Sequence, residues 1–218
     1  MENFKLKMET SMKQYQTEQE KFWAGKFGDE YISRNKEPWL IASNLALFSS
    51  ILKRTNHVNS IIEFGANIGM NIHAIKNLLP NTKLSAIEIN AKAVEQLSQI
   101  ENLTVYHQSI FDFASNKKND FVFSKGVLIH LAPTMLPKVY KTMYENSNRY
   151  ICMIEYYNPT PMEIPYREHN DKMYKRDFAG EIMDIYPDLQ LVDYGFIYRR
   201  DPVFVQGDLT WFLMEKRV

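Results

Sequence analysis

Residues 61–71 read IIEFGANIGMN: a short apolar run enters two glycines, Gly65 and Gly69, with three residues between them. A strand that stops at a glycine and resumes as helical sequence is the opening of a doubly wound α/β sheet, whose first turn is where backbone approaches a ligand. The flanking segments predict a strand over VNSIIEF and a helix over 69–79. Downstream, KLSAIEI reads as a strand and 91–100 as a helix carrying Ala91, Val94 and Leu97 on one face. LTVYH, DFVFSK and RYICMIEY are further strands, with helices near 133–146 and 172–185. LQLVDYGFIYRR and LTWFLMEK follow with no helix between them and therefore form an antiparallel hairpin at an edge. The alternation predicts an α/β architecture, a Rossmann-like seven-stranded sheet that is mostly parallel and has helices on both faces.

Upstream the signals are helical. PWLIASNLALFSSILKRTN places Ile41, Leu45, Phe48 and Leu52 along one face, with Pro38 suited to a first turn. Residues 1–56 are thus expected to form a helical cap on a domain spanning 57–218.

Composition narrows the function. The chain has 218 residues, 45% of them hydrophobic, enough for one large core. Lys plus Arg and Asp plus Glu both number 26, so no global positive field exists to hold nucleic acid. Its single cysteine, Cys152, lies in the apolar run YICMIEY and reads as a buried thiol. A reducing compartment fits, and neither a signal sequence nor a stretch of the ~20 apolar residues of a membrane span is seen. The expectation is a cytoplasmic protein with no nucleic-acid partner, no membrane and no metal.

The glycine turn departs from the dinucleotide fingerprint G-x-G-x-x-G, because Asn67 replaces its middle glycine and the third is absent. Glu63 places a negative charge beside the turn. That charge repels a pyrophosphate and suits a ligand with an ammonium and a sulfonium, which favours S-adenosylmethionine over NAD. Gly65, Ala66, Asn67 and Gly69 form the expected cradle, and a side chain at either glycine would occupy ligand space. Glu88, at the tip of the second strand with Ile89 after it, is placed to accept two ribose hydroxyls. In HQSIFDF, Ser109 and the Ile110 backbone can contact an adenine edge and Phe111 its face. Asp112 can instead cap the segment that follows. Ser124, Lys125 and Gly126 end the fourth strand where a transferred methyl would project. His130, a turn later, can act as a general base or pack over the cofactor as a structural side chain.

These pieces look like a class I S-adenosylmethionine-dependent methyltransferase. Over nearly the whole chain, EKFWAGKFGDEYISRNK, IIEFGANIGMN, FSKGVLIHL, YICMIEYYNPTP, KRDFAGEIMDIYPDLQLVDYGF and TWFLMEK are similar to the pseudaminic acid biosynthesis-associated methylases. The resemblance implies S-adenosylmethionine as cofactor, S-adenosylhomocysteine as product, and methylation linked to a nine-carbon acidic sugar or its nucleotide-activated relatives.

In the N-terminal segment Trp23, Phe27, Tyr31 and Arg34 share one face if the helix continues through Gly25 and Gly28. They can close as a lid, a ring against the sulfonium and Arg34 on a carboxylate, or form an aromatic stripe of the core. Glu155, Tyr156, Tyr157 and Asn158 end the fifth strand, where catalytic roles for Glu155 and Tyr156 are expected. The loop behind them carries Tyr166, Arg167, Glu168 and His169, and Arg167, Lys175 and Arg176 can hold a carboxylate or phosphate. The expected reaction moves a methyl group to O or N of a small, acidic, sugar-like acceptor. The alternatives are a non-catalytic cofactor-binding module in a sugar pathway and an NAD-dependent dehydrogenase or epimerase.

Overall fold

The computed structural model describes residues 15–34, 37–167 and 170–217; Glu168 and His169 lie outside them. The sheet begins with β1 (Ser60–Phe64), β2 (Lys83–Glu88), β3 (Leu103–His107), β4 (Asn119–Lys125) and β5 (Ser147–Glu155). It ends with β8 (Leu189–Ile197) and β9 (Leu209–Lys216), in the order β3-β2-β1-β4-β5-β9-β8. The first five pair in parallel and β9 runs antiparallel to both β5 and β8. The expected seven-stranded sheet with an antiparallel edge is therefore the one observed. Because chain order reverses at β1, with β2 on one side and β4 on the other, the carboxyl ends of these strands open a crevice.

β1 is almost wholly buried because both its faces are covered. One face packs on α3 (Trp39–Leu52) and α4 (Met70–Leu78), through Phe48, Ile51, Ile72 and Ile75. The other packs on α6 (Leu136–Glu145) and α7 (Phe178–Ile185), through Val139, Tyr140, Met143 and Ile182. The remaining helix of this unit, α5 (Ala91–Leu97), closes on β2 and β3. Cys152 sits in β5, fully buried, and burial pushes its thiol far up. No helix among the described residues is long and apolar enough to cross a membrane.

Three local expectations change. In α3 Phe48 and Leu52 are buried as expected, but the rest of the buried face is Ser43, Asn44, Leu47 and Ile51, whereas Ile41 and Leu45 are only partly covered. The hydrophobic spacing missed it because the helix buries a polar residue, Asn44, toward the crevice. The helix expected near 172 starts only at Phe178, where Asp177 accepts from the Gly180 amide at 2.8 Å. Before it, β7 (Tyr174–Lys175) pairs with β6 (Met162–Glu163) in a two-stranded ribbon. The N-terminal segment is two helices, α1 (Glu18–Ala24) and α2 (Lys26–Arg34), because the chain turns extended at Gly25 (φ −100°, ψ −154°). Thr17 and Glu20 start α1 with a reciprocal capping box.

Candidate functional site

The crevice holds a cavity of about 370 Å³, within the range of small-molecule sites. Its floor is the turn after β1. Gly65 has φ +75° and a Cβ there would come within 2.7 Å of Val127, itself a wall of the cavity. Gly69 has φ +83°, but its Cβ would meet Ile100 at 2.6 Å and Leu97 at 2.9 Å. The expectation that a ligand excludes side chains at both glycines is corrected: positive φ and close packing of α4 against the α5 region exclude one at Gly69. Ala66 and Asn67 face the cavity and Gly69 does not.

Glu88 lies in the cavity wall, only 8% exposed. Its Oε1 accepts from the amides of Ile89 and Asn90, both at 2.8 Å, and its Oε2 from that of Asn67 at 2.7 Å. The bond to Asn67 ties the β2 tip to the glycine turn. Desolvation raises the pKa of this carboxyl against those three hydrogen bonds, which favour its ionised form. The amides take three of the carboxylate's roughly four lone-pair sites, both of those on Oε1, so Oε2 keeps capacity for a further donor.

Glu63 stands one layer back from the position expected of it. It is 1% exposed and outside the cavity lining; Oε1 accepts from Asn71 Nδ2 at 2.6 Å, while Oε2 has no partner among the described residues. Burial lifts its pKa to about 8. Lys125 does line the cavity, and desolvation pulls its ammonium down to about 8 although Glu63 opposes that shift.

The N-terminal helices contribute to the cavity lining, with Trp23 and Tyr31 among its walls. Asn90 caps α5 through Ala93 and donates from Nδ2 to Asp29 Oδ1 at 2.9 Å and to the Trp23 carbonyl at 3.3 Å. Ser109, expected on an adenine edge, donates its hydroxyl to Glu20 and so ties α1 to the loop after β3. Ile110 and Phe111 remain cavity walls. Trp23 stacks edge-on against Phe27 and Tyr31, at 5.3 and 5.2 Å between ring centroids, despite the break at Gly25. Arg34 departs from expectation: it lies over the rings of Phe27 and Tyr31, at 5.1 and 5.5 Å, and does not reach the cavity.

Glu155 also departs from its expected catalytic role. It is buried and accepts from Ser124 Oγ at 2.9 Å and from the amides of Val127, Leu128 and Ile129. It therefore pins the turn carrying Val127 and His130, because a β5 side chain at that position points under the turn and not into the cavity. Burial raises its pKa to about 7. Tyr156, the next residue, does line the cavity.

His130 faces the cavity between the rings of Trp23 and Tyr166, at 4.7 and 4.9 Å. Its Nδ1 lies 2.7 Å from the Lys172 carbonyl, which can only accept, so Nδ1 carries the proton and Nε2 a lone pair. Desolvation lowers its pKa to about 4. As pH falls from about 6.5 to 4 the unfolded chain binds this proton first, so folding stability is expected to drop by roughly 3 kcal/mol across that window. Urea melts should show a shallower decline in His130→Phe; equal slopes would mean the ring is protonated in the folded protein.

Gln206, in the β8–β9 connection, carried no sequence signal. It lines the cavity, is 8% exposed, and neither Oε1 nor Nε2 has a partner among the described residues. Trp23 Nε1 is likewise buried without one. Such orphaned groups cost about 1–3 kcal/mol each unless a ligand or water satisfies them, so the cavity can take a polar guest at Gln206. Of the expected anion-holding residues, Arg176 is paired with Glu181 at 2.8 Å, and Lys175 lies over the Tyr156 ring at 5.2 Å.

No protein-family model and no curated protein matches the chain. Solved structures do. The plantazolicin methyltransferase BpumL, in complex with SAH, superposes with a TM-score of 0.66 at 14% identity, over 92% of this chain and 94% of that one. The fold is that of the class I methyltransferases. A 1,6-didemethyltoxoflavin-N1-methyltransferase from Burkholderia thailandensis, with its substrate and S-adenosylhomocysteine bound, gives 0.67 at 9% identity over 91% and 87%. N-methyltransferase NodS from Bradyrhizobium japonicum WM9 gives 0.62 at 13% identity over 84% and 99%.

Proposed function

We propose that the protein is an S-adenosylmethionine-dependent methyltransferase that methylates O or N of a small, acidic, sugar-like acceptor. The observation that carries this reading is Glu88: a carboxylate set in the cavity wall by three backbone amides, one of them from the glycine turn. In that place its Oε2 can accept from a ribose hydroxyl, with Ile89, Ile110 and Phe111 as apolar walls for a base. Bound there, S-adenosylmethionine would supply an electrophilic methyl group on its sulfonium.

The chain's own residues do the rest. The α1–α2 lid covers the cavity and keeps water from it. Tyr156 and the Gln206 amide offer hydrogen bonds to a hydroxyl-rich acceptor, and Lys175 adds positive charge on that side. The His130 Nε2 lone pair can take the proton of an acceptor hydroxyl, and its low pKa keeps it available across the neutral range. An amine acceptor needs orientation more than a base. The resemblance to pseudaminic acid biosynthesis-associated methylases supports a nonulosonic acid or nucleotide-sugar acceptor.

Calorimetry with S-adenosylhomocysteine and with NAD tests the cofactor: the first is expected to bind and the second not. Incubating the protein with methyl-deuterated S-adenosylmethionine and a metabolite extract is expected to label an acidic, sugar-like species by mass spectrometry. Binding without any labelled product would favour the non-catalytic module, and NAD binding would favour the dehydrogenase.

A further inference from the structure

The tips of β1 and β4, with α3 and α4, enclose a polar cluster around Lys125. Lys125 Nζ donates to Asn44 Oδ1 at 2.7 Å and to Asn71 Oδ1 at 3.4 Å. Both asparagines and the lysine line the cavity. An ammonium has three donors, and no ion pair among the described residues includes this one. Glu63 sits behind Asn71, hydrogen-bonded to its Nδ2, and favours the charged lysine while lying outside the cavity. Removing a cation from water without a partner is costly, so an ammonium held open to a cavity is a seat for an anion.

The position narrows which anion. Lys125 ends β4 and Glu88 ends β2, on opposite sides of β1. Strands lie ~4.8 Å apart, so the two tips are roughly 10 Å from each other. That is a span which the thioether tail of a nucleoside amino acid can bridge when its ribose lies on Glu88. Arg34, the sequence's own candidate for a carboxylate, lies outside the cavity.

We propose that Lys125, with Asn44 and Asn71 orienting its ammonium, seats the α-carboxylate of the amino-acid tail of the S-adenosyl ligand. This rests on the cofactor reading above. Lys125 is then a binding residue for the tail, while Asn44 and Asn71 position it.

Two ligands separate the seat from the rest of the site: S-adenosylhomocysteine, and 5′-methylthioadenosine, which has the nucleoside and sulfur but no amino-acid tail. In calorimetry, Lys125→Met is expected to lose about 10- to 100-fold in affinity for the first, the loss typical of a charge-assisted hydrogen bond. Its affinity for the second is expected to stay within about two-fold of wild type, which also shows that the variant is folded. Lys125→Gln, of similar length, gives the same comparison if the methionine variant does not fold. Unchanged affinity for S-adenosylhomocysteine would assign the ammonium to an acid on the acceptor and overturn the proposal. An equal loss for both ligands would overturn it too, by showing that Lys125 shapes the whole cavity. Failure of the wild type to bind either ligand would sink the cofactor reading instead.

Discussion

Glu88→Ala is expected to weaken S-adenosylhomocysteine binding by about 10- to 100-fold, the roughly 1.5–3 kcal/mol lost when ligand donors are left facing no acceptor. The effect has a second source within the protein. The amides of Asn67, Ile89 and Asn90 all end on this carboxylate, so its removal leaves buried donors at two turns. Asn67 has φ +48°, a left-handed conformation that asparagine tolerates better than most side chains, and its amide ends on that acceptor, so the carboxylate helps hold the turn in shape. Urea unfolding should therefore show reduced stability together with the reduced affinity. Glu88→Gln should recover part of both, since one acceptor oxygen remains. Unaltered calorimetric affinity in a folded Glu88→Ala protein would remove this residue from the site.

The second large effect belongs to Gly28. A Cβ there would overlap the carbonyl oxygen of Trp23 and come within 2.9 Å of Asn90 Nδ2, the side chain that holds the lid to α5. Neither the α1–α2 junction nor the Asn90 bridge can yield without moving the lid, so Gly28→Ala is expected to undock residues 15–34. The sheet beneath should stay folded, as its core on that face comes from α3 and α4. Trp23, Tyr31 and Glu20 would leave the cavity wall, and S-adenosylhomocysteine affinity should fall at least about ten-fold. Limited proteolysis gives the sharper reading. In wild type the ligand should protect the lid, because a segment of low local stability is shielded when a ligand holds it down. In Gly28→Ala cleavage should be fast and indifferent to ligand. Wild-type lid cleavage at the same rate with and without saturating ligand would make the aromatic stripe ordinary core.

The sheet was legible in the sequence because central parallel strands are buried on both sides and read as apolar runs, as SIIEF and YICMIE do. The place of Glu88 in the crevice wall was legible for a related reason: the end of an apolar run marks the strand tip. Glu155 ends its strand too, and there the same logic failed. Whether a terminal carboxylate faces the crevice or turns under the next loop depends on where Val127 to Ile129 place their amides, a long-range fact with no local signature. Arg34 was misread because its spacing from Tyr31 matched a helix face, while the direction of that face was set by how α2 docks on α5. Asn44 and Gln206 escaped since an isolated polar residue, in an apolar helix or a surface connection, looks the same whether it meets water or a cavity.

Cys152 gives this chain a built-in clock. Its thiol is the only one in the sequence and is fully buried in β5, where both β4 and β9 flank it. A thiol reagent can reach it only when the sheet around β5 opens, so labelling speed counts openings of the sheet, peeling of β9 from β5 included, and ignores excursions of the lid. One labelling reaction, with no engineered tag, can therefore sort substitutions that loosen the cap from those that loosen the domain beneath it.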